Sequence, residues 1–169
     1  MNPQWTRTLA LKDSAATESL GAALAEELQA GDLLVLSGPL GAGKTTFTRG
    51  IGEGFGVRGP ITSPTFVLAR THPSERGGAP LVHVDAYRLS DARELDDLDI
   101  DFEGALVVVE WGAGKLDGVS DSWLEIDLVR PGGTESSGRP IAELDGDEPR
   151  ELTVRGYGPR WTEPPVSLA

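Results

Sequence analysis

Leu33-Leu34-Val35-Leu36-Ser37-Gly38-Pro39-Leu40-Gly41-Ala42-Gly43-Lys44-Thr45-Thr46-Phe47-Thr48-Arg49 decides the fold of this 169-residue chain. Residues 38–45 match G-x-x-x-x-G-K-[ST], a phosphate-binding loop. The apolar run Leu33–Leu36 before it reads as a strand, and Thr46–Arg49 after it as the start of a helix. That strand-to-helix setting is the context the motif requires. Glycines let the backbone curl so that its N–H groups form an anion nest. In that nest Lys44 brings a point charge to the β- and γ-phosphates, and the Thr45 hydroxyl is a ligand for Mg²⁺. The stretch implies binding of a nucleoside triphosphate through Gly38, Leu40, Gly41, Ala42, Gly43, Lys44, Thr45 and Thr46.

Composition sets the limits. A content of 38% hydrophobic and 25% charged residues belongs to a soluble globular chain, and 169 residues suffice for one buried core. We expect a single domain over residues 1–158 and a disordered tail over 159–169, where Pro164-Pro165 falls. No apolar stretch approaches the ~20 residues of a membrane helix, and residues 1–15 lack the features of a signal peptide. There is no cysteine. The expected location is cytoplasmic, with no membrane association.

A net charge of −12 argues against a direct grip on nucleic acid, which needs clustered Lys and Arg. The acid is concentrated: residues 85–127 hold 13 Asp/Glu against 3 Lys/Arg. This is either a solvated helix face around residues 91–101 or a docking surface for a basic partner.

Outward from the loop, Trp5–Leu11 alternates as a strand. Asp13-Ser14 offers a helix cap, and Thr17, Leu20, Leu24 and Leu28 recur at helical spacing up to Gly31. Glycines at 50, 52, 54 and 56 predict that the helix after the loop stops near Gly54–Gly56, since each costs about 1 kcal/mol relative to alanine. Further strands are expected at Thr65–Thr71, Leu81–Asp85, Ala105–Glu110, Leu124–Val129 and Leu152–Arg155. Pro131–Arg150 reads as a mobile hairpin connection or insertion. Strands separated by helices, with a phosphate loop after the first core strand, predict a three-layer α/β fold of P-loop NTPase type. Its sheet is expected to be mixed and mostly parallel, with antiparallel strands near the C-terminus.

Hydrolysis needs an acid near the metal and a group that positions water. Two apolar strands end in a carboxylate, Asp85 and Glu110, and either fits. Glu110 follows four apolar residues, which favours it as the Mg²⁺-linked acid and leaves Asp85 to orient water; a helix cap or an ion pair with Arg88 are the structural alternatives. Thr62-Ser63-Pro64-Thr65 is either a switch that senses the γ-phosphate or the start of a strand. The sole asparagine is Asn2, so the Asn-Lys-x-Asp segment that reads guanine is missing. ATP is the expected nucleotide.

The ordered set GPLGAGKTTFTRG (38–50), TSPTF (62–66), HVDAYRL (83–89) and VVEW (108–111) resembles the TsaE family. These are P-loop ATPases of tRNA threonylcarbamoyladenosine biosynthesis. The resemblance spans roughly residues 14–130 and implies an ATP- and Mg²⁺-dependent ATPase acting with TsaB and TsaD on position 37 of tRNAs that read ANN codons. It implies Lys44, Asp85 and Glu110 as catalytic residues and Thr45 with Glu110 as metal-linked ones. It places Thr65 on the switch-like threonine and Trp111 beside the acid, where ordinary strand-end packing is the alternative. Ser14–Thr17 falls where members approach the base. The chain departs from many relatives in having Gly112-Ala113-Gly114 after Trp111, without a further acid. The competing class is a P-loop small-molecule kinase, which needs a lid bearing arginines; the Arg-bearing connection of some length, Pro131–Arg150, has five Asp/Glu against two Arg.

Overall fold

The computed structural model describes residues 2–39, 41–57, 61, 69–86, 98–111, 118–130 and 149–168. Its strands are β1 (Trp5–Leu11), β2 (Leu33–Ser37), β3 (Ala69–His72), β4 (Leu81–Asp85), β5 (Leu106–Glu110), β6 (Trp123–Val129) and β7 (Arg150–Tyr157). Its helices are α1 (Ser14–Ala25) and α2 (Lys44–Phe55). The strands form one mixed sheet in the order β1-β7-β6-β2-β5-β4-β3. Among the described residues the three central pairings, β6-β2, β2-β5 and β5-β4, are parallel. The three outer ones are antiparallel. The sheet is thus evenly divided, with its parallel half in the middle. β6 and β7 pair antiparallel, and residues 131–148 between them lie outside the described residues.

β2, β4 and β5 are mostly apolar because parallel central strands are covered on both faces; the polar residues are His83 inside β4 and the strand-end residues Ser37, Asp85 and Glu110. Successive side chains alternate between those faces. Leu34, Leu36, Leu81, Val108 and Ile126 pack with Leu24 of α1 and with Phe47 and Ile51 of α2. Leu33, Val35, Val82, Val84, Val107 and Val109 form the second core, covered by Leu98, Ile100, Phe102, Val119 and Trp123. Of the acid-rich helix face expected around residues 91–101, residues 91–97 lie outside the described residues, whereas 98–101 form a turn and not a helix, with Asp99 at φ 53°.

Asp13 caps α1, its side chain accepting from the Ala16 N–H at 2.8 Å. The helix ends at Ala25, short of the expected Gly31, although Leu28 remains buried in the core. Apolar periodicity marks what is buried, and a turn can bury Leu28 as well as a helix can. α2 stops where its glycines predict, with Gly56 at φ 81° closing the C-terminus.

The glycines inside α2 have a further role. A Cβ on Gly50 would lie 2.1 Å from the Glu18 carbonyl oxygen, and one on Gly54 would lie 2.3 Å from that of Ala22. The two helices therefore cross backbone to backbone. Gly50→Ala gains about 1 kcal/mol of helix propensity but forces α1 away, an overpacking that costs about 1–3 kcal/mol. Because the clash is with backbone at 2.1 Å, the cost lies towards the top of that range, giving a net loss of up to about 2 kcal/mol. Urea denaturation checks this as a lower midpoint at unchanged slope; an equally stable variant would contradict the close crossing.

The expectation of a disordered tail is corrected. Pro159–Trp161 and Val166–Leu168 form short 3₁₀ turns, and Trp161 and Leu168 belong to the α1/α2-side core. Arg160 forks onto Asp32, with Nε–Oδ1 at 3.0 Å and Nη2–Oδ2 at 3.2 Å. The Glu27 carboxylate accepts from the N–H groups of Val166 and Ser167 at 2.7 and 3.0 Å. Burial works to raise the Glu27 carboxyl, but the hydrogen bonds from Ser167 and Val166 and the charge of Arg160 outweigh it. The group sits below its usual range. Proline-rich composition signals weak local preference; here long-range contacts supply the order.

Candidate nucleotide site

The crevice outside the carboxyl ends of β2, β4 and β5 is where open α/β sheets bind ligands, and three segments meet there. The loop after β2 has Gly38 at φ 148°, Gly41 at φ 80° and Gly43 at φ 104°. A Cβ on Gly38 would lie 2.3 Å from the Leu128 carbonyl oxygen, so no other residue fits between the loop and β6. Gly43 is the N-cap of α2 and provides no side-chain cap. The first turn of a helix lacks intrahelical acceptors for its N–H groups. At Lys44, Thr45 and Thr46 no capping side chain replaces them. An uncapped N-terminus behind a glycine loop fits a phosphate group.

Lys44 is 7% exposed. Its Nζ donates to the carbonyl oxygens of Gly38 at 2.5 Å and Pro39 at 3.3 Å, and lies 4.0 Å from the centre of the Trp111 ring. Burial lowers the Lys44 ammonium below the usual lysine range, while the charges of Glu110 and Asp85 oppose that shift. The lysine is therefore folded onto its own loop, with both carboxylates within electrostatic reach.

Trp111 has φ 64°, a left-handed conformation that is costly for a bulky residue. Its N–H still bonds the Leu36 carbonyl oxygen at 2.9 Å, extending the β2–β5 ladder by one rung. The ladder fixes the backbone, and the left-handed turn lays the indole against Lys44.

Asp85 and Glu110 are register partners on β4 and β5. Glu110 is 3% exposed and its Oε2 lies 2.8 Å from Nε2 of His83, which is fully buried. The tautomer with the proton on Nε2 donates to the carboxylate and leaves Nδ1 as a lone pair, and Nδ1 has no partner among the described residues. By the two-residue period, His83 and Asp85 share the face of Leu81, as Glu110 shares that of Val108. That is the face α2 covers.

Of the expected site residues, Gly38, Gly41, Ala42, Gly43, Lys44, Thr45 and Thr46 are together in the loop and the first turn of α2, and Lys44 lies against Trp111 and within electrostatic reach of Glu110 and Asp85. Ser14 opens α1, whose first turn reaches the loop: Thr17 Cγ2 is 3.9 Å from where a Gly43 Cβ would be. Leu40 and Thr65 lie outside the described residues. His83 is the residue that sequence reasoning passed over. Its signal was a polar side chain at a core position of β4, two residues before Asp85. Arg130 and Arg150, which touch the loop from β6 and β7, gave no local signal.

The donor set suits a hard cation. Thr45, Glu110 and Asp85 offer oxygen only, and Mg²⁺ takes few protein ligands because it keeps water and phosphate oxygens around it.

Known proteins resemble this chain in sequence and in fold. The profile of the family described as threonylcarbamoyl adenosine biosynthesis protein TsaE matches residues 11–137. A Streptomyces coelicolor protein named tRNA threonylcarbamoyladenosine biosynthesis protein TsaE is 51% identical over 152 residues, which are 88% of this chain and 96% of that one. A Bacillus subtilis protein of the same name is 35% identical over 156 residues, 92% and 87% of the two chains. The crystal structure of Bacillus subtilis YdiB superposes with a TM-score of 0.68 at 27% identity, covering 93% of this chain and 89% of that one. On its sequence and its fold, this chain belongs to the TsaE family of threonylcarbamoyl adenosine biosynthesis proteins.

Proposed function

We propose that this chain binds ATP with Mg²⁺ and hydrolyses it to support threonylcarbamoyladenosine formation at position 37 of tRNAs reading ANN codons, acting with TsaB and TsaD. The observation that carries this reading is the convergence of Lys44, Trp111, Glu110 and Asp85 beside an uncapped α2. Mg²⁺ bound with the triphosphate neutralises charge on the β- and γ-phosphates. Thr45 and Glu110 would hold it, Glu110 being aimed by the hydrogen bond from His83. Lys44 would leave the carbonyls of Gly38 and Pro39 to reach the phosphates. The Trp111 ring, already against Lys44, keeps water from the ammonium and so strengthens its pull. Asp85 orients the attacking water.

An acidic chain suits a subunit that leaves tRNA to its partners, and electropositive partner surfaces would be steered towards it. Partner contact is also what would raise its turnover. Cytoplasmic residence follows from this task, and among the described residues no helix is long and apolar enough to cross a membrane. The test is depletion of the protein followed by mass spectrometry of total tRNA. Threonylcarbamoyladenosine should fall, the wild type should restore it and Lys44→Ala should not. Unchanged modification on depletion would overturn the reading.

A further inference from the structure

The phosphate loop is held from outside by two buried arginines. Arg130 follows β6 and Arg150 opens β7, at 8% and 3% exposure. Arg130 donates through Nε and Nη2 to the Gly41 carbonyl oxygen, at 3.0 and 2.8 Å. Arg150 donates through Nε to the Ala42 carbonyl oxygen at 3.1 Å, and its Nη2 reaches that of Gly41 at 3.5 Å. Two consecutive peptide groups in the middle of the loop are thus gripped by guanidinium forks.

Those peptides need such help. Gly41, Ala42 and Gly43 have no side chain able to hold their own backbone, and two of the three are glycines with positive φ, the residue with most conformational freedom. In a trans peptide the carbonyl and the following N–H point in opposite directions. Holding the Gly41 and Ala42 carbonyls on the arginine side turns the N–H groups of Ala42 and Gly43 to the other side of the loop. The Ala42 N–H already bonds there to the Pro39 carbonyl oxygen at 3.1 Å. Burying two guanidinium groups at the ends of interior strands is costly, because each must recover its lost hydration through hydrogen bonds. Here four of those hydrogen bonds end on the element that meets the phosphates.

We propose that Arg130 and Arg150 are positioning residues that fix the Gly41–Ala42 and Ala42–Gly43 peptides, the first keeping its N–H on the Pro39 carbonyl and the second turning its N–H to the phosphates, and so set affinity for the triphosphate more than the rate of its hydrolysis. This rests on the phosphate-site reading above. It also makes β6 and β7 part of the nucleotide site, although the loop is 89 residues from Arg130 and 108 from Arg150 in sequence.

The test titrates ATP·Mg²⁺ by calorimetry into the full chain as wild type, Arg130→Met, Arg150→Met and Arg150→Lys. Melting of each is followed without nucleotide, and hydrolysis is measured at saturating ATP. Each Met variant should raise the ATP Kd about tenfold or more, as expected for losing charged hydrogen bonds. Hydrolysis at saturation should stay within about threefold of wild type, since a uniform binding loss leaves kcat alone. Arg150→Lys keeps the charge but not the fork; it should remain folded and show an intermediate Kd, which decides the matter if Arg150→Met does not fold. A lower melting point with unchanged Kd would mean a merely structural role and overturn the proposal. Unchanged Kd with a fall in kcat would also overturn it, by placing the guanidinium on the reacting phosphate. A wild type that binds no ATP would overturn the phosphate-site reading itself, and this inference with it.

Discussion

Lys44→Ala is expected to lower ATP hydrolysis about a hundredfold or more, the usual effect of removing one preorganised charge from a phosphoryl or oxyanion site. That corresponds to about 2.7 kcal/mol or more of lost transition-state stabilisation. The free protein should be affected far less. In the nucleotide-free chain the ammonium is buried against two carbonyl oxygens and the Trp111 ring. Its removal leaves those carbonyls short of a donor but also relieves the burial of a charge, and these effects oppose each other. Thermal melting with and without ATP separates the two consequences. At about 100 times its Kd a ligand stabilises by about 2.7 kcal/mol. Wild type should show that upward shift and Lys44→Ala should lose it, with little change in the melting point of the free chain. An undiminished ATP-induced shift in the variant would refute the assignment of Lys44.

Trp161→Ala is expected to destabilise the fold by about 3–5 kcal/mol, the range for truncating a buried aromatic. Trp161 is 3% exposed in the α1/α2-side core, its carbonyl accepts from the Trp5 indole at 2.9 Å, and Arg160 lies 4.2 Å from its ring centre. One term opposes this loss. The Trp161 Nε1–H is buried without an acceptor among the described residues, and such an orphan donor costs about 1–3 kcal/mol. Trp161→Phe removes that donor while keeping most of the ring, so it should be much milder than Ala, within about 1.5 kcal/mol of wild type. Guanidinium denaturation of the pair distinguishes packing from polarity. If Ala and Phe lose equally little, residues 159–168 are not part of the cooperative unit.

What was legible in the sequence was whatever a short stretch settles by itself. The limits of β4, Leu81–Asp85, follow from an apolar run, broken only by His83, that stops at an acid. The stop of α2 at Gly56 follows from glycine's tolerance of positive φ. Asp85 and Glu110 could be picked out because each interrupts an apolar run. His83 was harder: inside β4 it reads as one core residue among four, and its role appears only when Glu110 of the next strand comes within 2.8 Å. The order of residues 159–168 was misread because it comes from Glu27 and Asp32, far away in the chain.

By itself the sequence determined that the chain has a phosphate loop between a strand and a helix, two acid-ended strands and the motif set of its family. All of these are encoded within a few residues of each other, where covalent spacing restricts geometry. Tertiary structure alone decided that α2's glycines serve a backbone-to-backbone crossing with α1, and that Trp111 turns left-handed to cover Lys44. It alone decided that His83 orients Glu110 and that arginines from β6 and β7 hold the Gly41 and Ala42 carbonyls. The physical reason is common to these cases. Each depends on which strand lies beside which in the order β1-β7-β6-β2-β5-β4-β3, and that order is set by burying two cores at once.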